Sequence, residues 1–299
     1  MQEVKIYTFD PFLFLQAEHL ILQRGEQVWV LFAENKQGIE AMISLFLEGD
    51  KAYSPLRMSF GGIIATETTR YTDIDTFVQF VLSFCKKHNI KELQITSYPF
   101  SYAPSLSAIC SQIFLQNGFC ITNAELTHYL TLTKNFEENL HLSALRRLKK
   151  CQRSNFTFEL WENADLHFVY EFVASNRQRK NYPISMPFED FQKTILAFPN
   201  KYLVFVLKSK QEIIALTVAI IINQKILYNF YPADKKEYLS YSPMIMLMAG
   251  LYEFAKEKGF QILDLGISSE QSKPNYGLIR FKENLACQSS LKLSFRKYL

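Results

Sequence analysis

The sequence predicts an α/β fold made of two similar units with mixed sheets. Three observations lead there. VLFAENKQGIEA at 30–41 and VFVLKSKQEIIA at 204–215 share Val, Lys-Gln, Ile and Ala at a constant offset, and self-similarity of this kind marks a duplicated unit. The order of element types around the two segments also repeats. Finally, 299 residues that are 48% hydrophobic hold enough apolar surface for two cores, with no need of disulfide or metal staples.

In the first copy, residues 28–33 and 39–47 are β-rich runs joined by the turn-like stretch 34–38, which makes a hairpin. A third β-like run near 59–65 follows, then an amphipathic helix at 75–88 and a strand at 93–97. Pro104 opens a helix that runs to 116 and stops at Asn117-Gly118, before a strand at 126–133. The second copy has a hairpin of 203–207 with 213–222, and a third strand at 226–231. A helix at 243–258 follows, with Ser242 as N-cap and Gly259 as its stop. Strand 262–267, helix 276–286 and strand 291–295 complete it. Helices are expected before each hairpin, at 11–22 in the first copy and at 165–179 and 188–198 in the second. The chain thus divides into an N-terminal unit 1–133, a basic joint helix 134–155, and a C-terminal unit 156–299 expected to hold the reaction site.

Composition removes several function classes. The ten glycines include one adjacent pair, Gly61-Gly62, and form neither a dinucleotide fingerprint nor a P-loop. Five cysteines, an odd number without a CxxC pair, argue against a disulfide framework or zinc ribbon and for a reduced, cytoplasmic setting. Five scattered histidines give no metal-ligand spacing, so no metal is expected. The longest nearly pure apolar run, 213–222, is too short to span a bilayer, and the N-terminus does not read as an export signal. The net charge of +4 is too mild to imply DNA. Its distribution says more: stretches 146–153 and 177–180 carry eight cations and no carboxylate, leaving 25 cations against 29 anions elsewhere. That pattern indicates a local anion site.

The run FEENLHLSALRRLKKCQRSNFTFEL at the joint, SYSPMIMLMAGLYEFAKEKGFQILDLGIS, and YGLIRFKENLAC near the end, with the hairpin-strand-α-β-α-β order, resemble the GNAT acyltransferases. Two such units in one chain are similar to the FemABX-like and BioF2-like tandem members, in which a strand ending in an acidic-apolar-Gly motif precedes a helix with a Phe-Lys pair. The resemblance implies tandem GNAT-like units and an acyl-CoA or another acyl carrier as co-substrate, with nothing bound covalently. Two departures qualify it. Residues 232–243 hold no glycine, whereas a coenzyme A site needs bare backbone N–H groups around the pyrophosphate, so the donor is either held differently or is not coenzyme A. The long charged helical insertion of tRNA-reading, peptidoglycan-branching members is also missing.

Lys282 shares a helix face with Leu278, Phe281 and Leu285. A cation there must pair, snorkel or face a cavity. Either its stem covers core, or, as the resemblance implies, it supplies a fixed positive charge at the acceptor's anionic group or a developing oxyanion. Arg146, Lys149, Lys150 and Arg153 form one face of the joint helix, either a solvated face or an anion groove. Arg177 and Tyr182 lie beside the loop 183–187 and can border a substrate, although cations at a helix end also suit the macrodipole. Ser242 begins a buried helix whose N-terminal amides can meet an anion. By the resemblance, Tyr228, Tyr231, Asp264 and Ser268 fall where two parallel strands admit a donor, with Tyr231 or Asp264 as acid or base. Arg57, beside Gly61-Gly62, is the first unit's candidate.

The expected function is transfer of an acyl or aminoacyl group from a thioester or ester carrier to an amine acceptor, small or lipid-linked. The alternatives are an aminoacyl-tRNA-dependent transferase, with tRNA the less favoured partner, and a non-catalytic module that binds an anionic ligand.

Overall fold

A computed structural model describes residues 6–23, 27–270 and 272–299. Two compact units emerge, one of the residues up to Thr127 with Ser269–Pro274 and Ser290–Leu299, the other of His128–Ser268 with Asn275–Ser289.

The first unit opens with a short 3-10 turn and α1 (Ala17–Leu20), in place of the longer helix expected over 11–22. The hairpin is β1 (Gln27–Asn35) with β2 (Gly38–Glu48), antiparallel over its length. The third strand is β3 (Lys51–Ser54), antiparallel to β2. It had been expected near 59–65, where only the two-residue β4 (Ile64–Ala65) forms, also against β2. Then come α2 (Tyr71–Lys87), β5 (Glu92–Thr96) parallel to β3, α3 (Pro104–Gln116) and β6 (Cys120–Thr131). Helix α2 buries Ile74, Phe77, Val78 and Val81, three or four residues apart, in a core shared with Ile43 and Leu45 of β2.

The second unit contains the end of β6, then α4 (Leu142–Arg153), β7 (Phe156–Leu160), α5 (Leu166–Arg179) and α6 (Phe188–Ala197). The hairpin β8 (Tyr202–Ser209) and β9 (Glu212–Ile221) follows, then β10 (Ile226–Asn229), β11 (Ala233–Asp234), α7 (Pro243–Glu257), β12 (Ile262–Ile267) and α8 (Tyr276–Asn284). Strand β10 runs antiparallel to β9 and parallel to β12. This pair is the counterpart of β3 and β5. Helix α7 is buried along Ile245, Leu247, Met248 and Leu251, and Gly250 lets it approach β7, since a Cβ there would lie 2.3 Å from the Phe158 ring. Strand β7, at the start of the predicted C-terminal unit, is not among the strands the sequence predicts; it pairs with β8.

The chain ends with β13 (Ser269–Glu270), β14 (Lys273–Pro274) and β15 (Gln288–Tyr298). Strand β15 pairs antiparallel with β5, so the first unit's strand order is β1-β2-β3-β5-β15-β6, and the second unit's, starting from the end of β6, is β6-β12-β10-β9-β8-β7. The last strand of the second sequence copy thus falls in the first unit, and the end of β6 falls in the second. The contact-defined units depart accordingly from the division at 133 and 155: α4 packs within the second unit, while 269–274 and 290–299 fall in the first. Among the described residues no helix is long and apolar enough to cross a membrane.

Candidate active site

Strand β12 carries the sequence Ile-Leu-Asp-Leu-Gly-Ile. Asp264 is buried, and its Oδ1 accepts the Gly266 N–H at 2.7 Å. This bond supports a left-handed residue, φ +73°, beside the Tyr228 ring, 3.4 Å from where a Cβ on Gly266 would sit. The twist turns the Gly266 and Ile267 carbonyls toward α8. Both accept from Lys282 Nζ, at 2.8 and 2.9 Å.

Lys282 is the buried residue of α8, 3% exposed, with Leu278 and Phe281 only half-buried beside it. Burial pulls its pKa down to about 8, against the opposing attraction of Asp264 and of the Cys287 thiol. The same burial pushes the Cys287 thiol up to about 12, so it is no thiolate nucleophile at neutral pH. With two of three donors committed to carbonyls, Lys282 keeps one for a further oxygen.

His128, near the end of β6, joins this cluster although no motif or spacing marks it. It is fully buried, and its Nδ1 lies 2.8 Å from Ser268 Oγ. Burial first, then the Lys282 charge, lower its pKa to about 4, so the ring is neutral at pH 7. Nε2 has no partner among the described residues.

The N-terminus of α8 is tied to the loop 181–187. Asn275 caps the helix by accepting the Leu278 N–H at 3.0 Å, and its Nδ2 donates to the Tyr182 hydroxyl. Arg177 Nε donates to the Pro183 carbonyl at 2.7 Å, and its guanidinium stacks over the Tyr231 ring, 5.4 Å from the centroid. The hydroxyl of Tyr231 bonds to Ser185, and burial raises its pKa.

Asp264 and Lys282 are therefore brought together, and Tyr182 reaches their helix through Asn275. Tyr231, expected as an acid or base beside them, instead anchors the loop with Arg177. The cations ending α5 are partly spoken for: buried Asp234 pairs with Arg179 at 2.7 Å and Lys180 at 3.5 Å, and Asn176 also donates to it. Ser242 holds the N-cap position of α7, but at φ +59° with no side-chain capping bond, contrary to the expectation. Its own N–H closes the 3-10 turn 236–241 on Leu239 O at 3.0 Å, and Pro243 brings no N–H. This segment stands where a pyrophosphate loop was sought, and its amides at Tyr238, Ser242 and Ile245 bond within the chain. These three N–H groups are therefore engaged within the chain rather than free to meet a pyrophosphate.

On α4, Arg146, Lys149 and Arg153 are exposed, whereas Lys150 Nζ is bound to the Ser240 carbonyl at 2.8 Å and lies over the Tyr241 ring. That differs from the expected four-cation groove. Arg57 is exposed in the first unit, its backbone N–H donating to Gln23. A cavity of about 340 Å³ opens at the far end of α8, lined among others by Thr131, Lys134, Tyr252, Ala286 and Gln288. Among the described residues no cluster of His, Cys, Asp or Glu is suited to a metal.

Residues 141–282 match the family model described as Acetyltransferase (GNAT) domain. No curated protein matches the sequence. Among solved structures the chain is similar to FemX, at 12% identity and a TM-score of 0.75, covering 97% of this chain and 93% of that one. It is also similar to the C-terminal domain of a putative lysylphosphatidylglycerol synthetase from Agrobacterium fabrum, at 14% identity and a TM-score of 0.60, covering 90% of this chain and 83% of that one. A tandem GNAT protein from the clavulanic acid biosynthesis pathway follows at 9% identity and a TM-score of 0.51, covering 92% of this chain and 84% of that one. At these identities the structural likeness concerns fold. The chain has a fold similar to that of FemX, and its residues 141–282 resemble the GNAT acetyltransferase domain by the family model they match.

Proposed function

We propose that the second unit transfers an acyl or aminoacyl group from an activated carrier to an amine, with Lys282 as the charge that stabilises the reacting carbonyl. The observation that carries this reading is a buried ammonium fixed by two carbonyls at the end of β12 with one donor left over. Burying a cation costs several kcal/mol unless it is well solvated by the protein, and here two carbonyls and the nearby Asp264 carboxylate supply that solvation. In the transfer, the amine nitrogen bonds to the carrier's carbonyl carbon as the carbonyl π pair moves to oxygen. The remaining Lys282 N–H donates to that oxyanion, whose collapse expels the carrier thiolate or alkoxide, and this leaving group takes up the proton that the nitrogen loses. Preorganised donation of this kind is worth roughly 10²–10³ in rate. Neither Ser268 with His128 nor Cys287 is needed as a nucleophile.

The engaged amides of Tyr238, Ser242 and Ile245 favour a carrier other than coenzyme A, such as an aminoacyl ester. Arg146, Lys149 and Arg153 remain the proposed anion-binding residues, Lys150 being engaged by the turn 236–241, with Arg177, Tyr182 and Ser242 bordering the acceptor; Arg57 would be the first unit's contribution. Incubation with acyl-CoA, acyl-carrier-protein and aminoacyl-tRNA donors, read by product mass, tests the proposal. Product from any donor class that disappears in Lys282→Met sustains it, and undiminished product in that variant overturns it.

A further inference from the structure

We propose that the outer face of α4 docks on an anionic lipid surface. Leu142, Arg146, Lys149 and Arg153 recur at helical spacing and lie on one stripe, opposite the buried Ala144, Leu148 and Cys151. The helix holds five cations and no carboxylate, and among the described residues Arg146, Lys149 and Arg153 have no ion pair. Like charges at this spacing repel, so their grouping stabilises nothing within the chain.

The apolar residues on the same surface decide the class of partner. Leu142 is 67% exposed at the head of the basic stripe. Lys150 anchors the turn 236–241 against α4, and that turn presents Leu239, 46% exposed, together with Lys236 and a single opposing carboxylate, Glu237. A solvated face has no use for leucines among its cations. A nucleic acid would engage the cations and leave the leucines in water, and the stripe has no aromatic ring for a base to stack on. An anionic bilayer uses both kinds of residue, since lipid phosphates take Lys and Arg while leucines enter the acyl boundary.

The inference goes beyond the transferase reading and does not depend on turnover; if that reading also holds, docking brings the chain to a lipid-linked amine acceptor. The test is co-sedimentation of the full-length chain with phosphatidylcholine vesicles made with or without phosphatidylglycerol, with bulk tRNA assayed separately by gel shift. Binding is expected only to the phosphatidylglycerol vesicles. The double change Arg146→Glu with Lys149→Glu should weaken it by at least about tenfold, and Leu142→Ser should weaken it severalfold at unchanged charge. The exposed Lys193→Glu on α6 should leave it unchanged, with circular dichroism establishing that each variant is folded. Three results would overturn the proposal: equal or no binding to both vesicle types, binding indifferent to the α4 changes, or binding to tRNA with the vesicles ignored.

Discussion

In the first unit the N–H of Phe119 bonds back to the Phe114 carbonyl at 3.0 Å across Gly118, at φ +77°; in the second the N–H of Cys287 bonds back to the Lys282 carbonyl at 3.1 Å across Ala286, at φ +59°. These matching helix ends make Phe114 and Lys282 counterparts. Both are almost fully buried. The strands before them correspond as well, since Gln94 registers with Tyr53 on a parallel neighbour as Asp264 does with Tyr228. The first unit fills its slot with Phe114, packed on Phe119 at 5.0 Å and Phe295 at 5.1 Å. The second fills the same slot with an ammonium. One scaffold thus serves as core in one copy and holds a charge in the other, and the chemistry proposed for the second rests on that difference.

Exchanging these residues breaks the comparison most directly. Phe114→Lys puts a cation into a slot lined by aromatic rings, so it combines a lost aromatic contact with a buried charge and should cost at least about 3–5 kcal/mol of stability, read by denaturant unfolding. Lys282→Met does the reverse. Transfer should fall roughly 10²–10³-fold with the melting temperature changed little, because relief of the buried charge opposes the loss of a partner by Asp264 and by the Gly266 and Ile267 carbonyls. A large loss of stability in Lys282→Met would make the lysine structural, and the contrast between the units would lose its functional meaning.

The contrast also has a pH signature. Lys282 titrates near 8 when folded, against an ordinary 10.5, so between those values the unfolded chain binds more protons than the folded one. Stability contributed at this site therefore rises from about pH 8 to 10.5. Transfer should move the opposite way, falling above pH 8 as the ammonium is lost. Thermal unfolding of Lys282→Met beside the unmodified chain isolates this component, which should vanish in the variant.

How far the sequence revealed this design depended on how local each signal was. Helix α3 and strand β12 were placed at their observed bounds because Pro104, Asn117-Gly118 and an apolar hexapeptide are contiguous cues. Strand β3 escaped because Lys51–Ser54 is four residues long and too short to display a period. Strand β7 was hidden because the basic joint runs straight into it. The exchange of β6 and β15 depends on which strand each pairs with, which no local pattern encodes. At the site, Lys282 stood out as a cation on an apolar stripe. His128 did not, since its importance lies in Ser268, 140 residues away. The pairing of Arg179 with Asp234 was invisible for the same reason, and it removes a cation from what had been read as an anion cluster.

The smallest expected effect concerns how the two counterpart helices begin. Helix α3 starts with Pro104 after Ala103, which makes no side-chain cap, so nothing of that kind links it to a loop. Helix α8 starts at Asn275, whose side chain both caps Leu278 and holds Tyr182. Asn275→Ala removes both functions and should cost about 1 kcal/mol. Asn275→Ser retains a capping oxygen but is too short for Tyr182, so stability should recover while the loop 181–187 remains untied, as in Tyr182→Phe. If the loop borders the acceptor, Asn275→Ser and Tyr182→Phe should raise KM for the amine severalfold and leave kcat nearly unchanged. Equal kinetics for Asn275→Ser and the unmodified chain would reduce Asn275 to a cap, and the second unit's helix would then differ from the first in Lys282 and its partners, without a coupled loop.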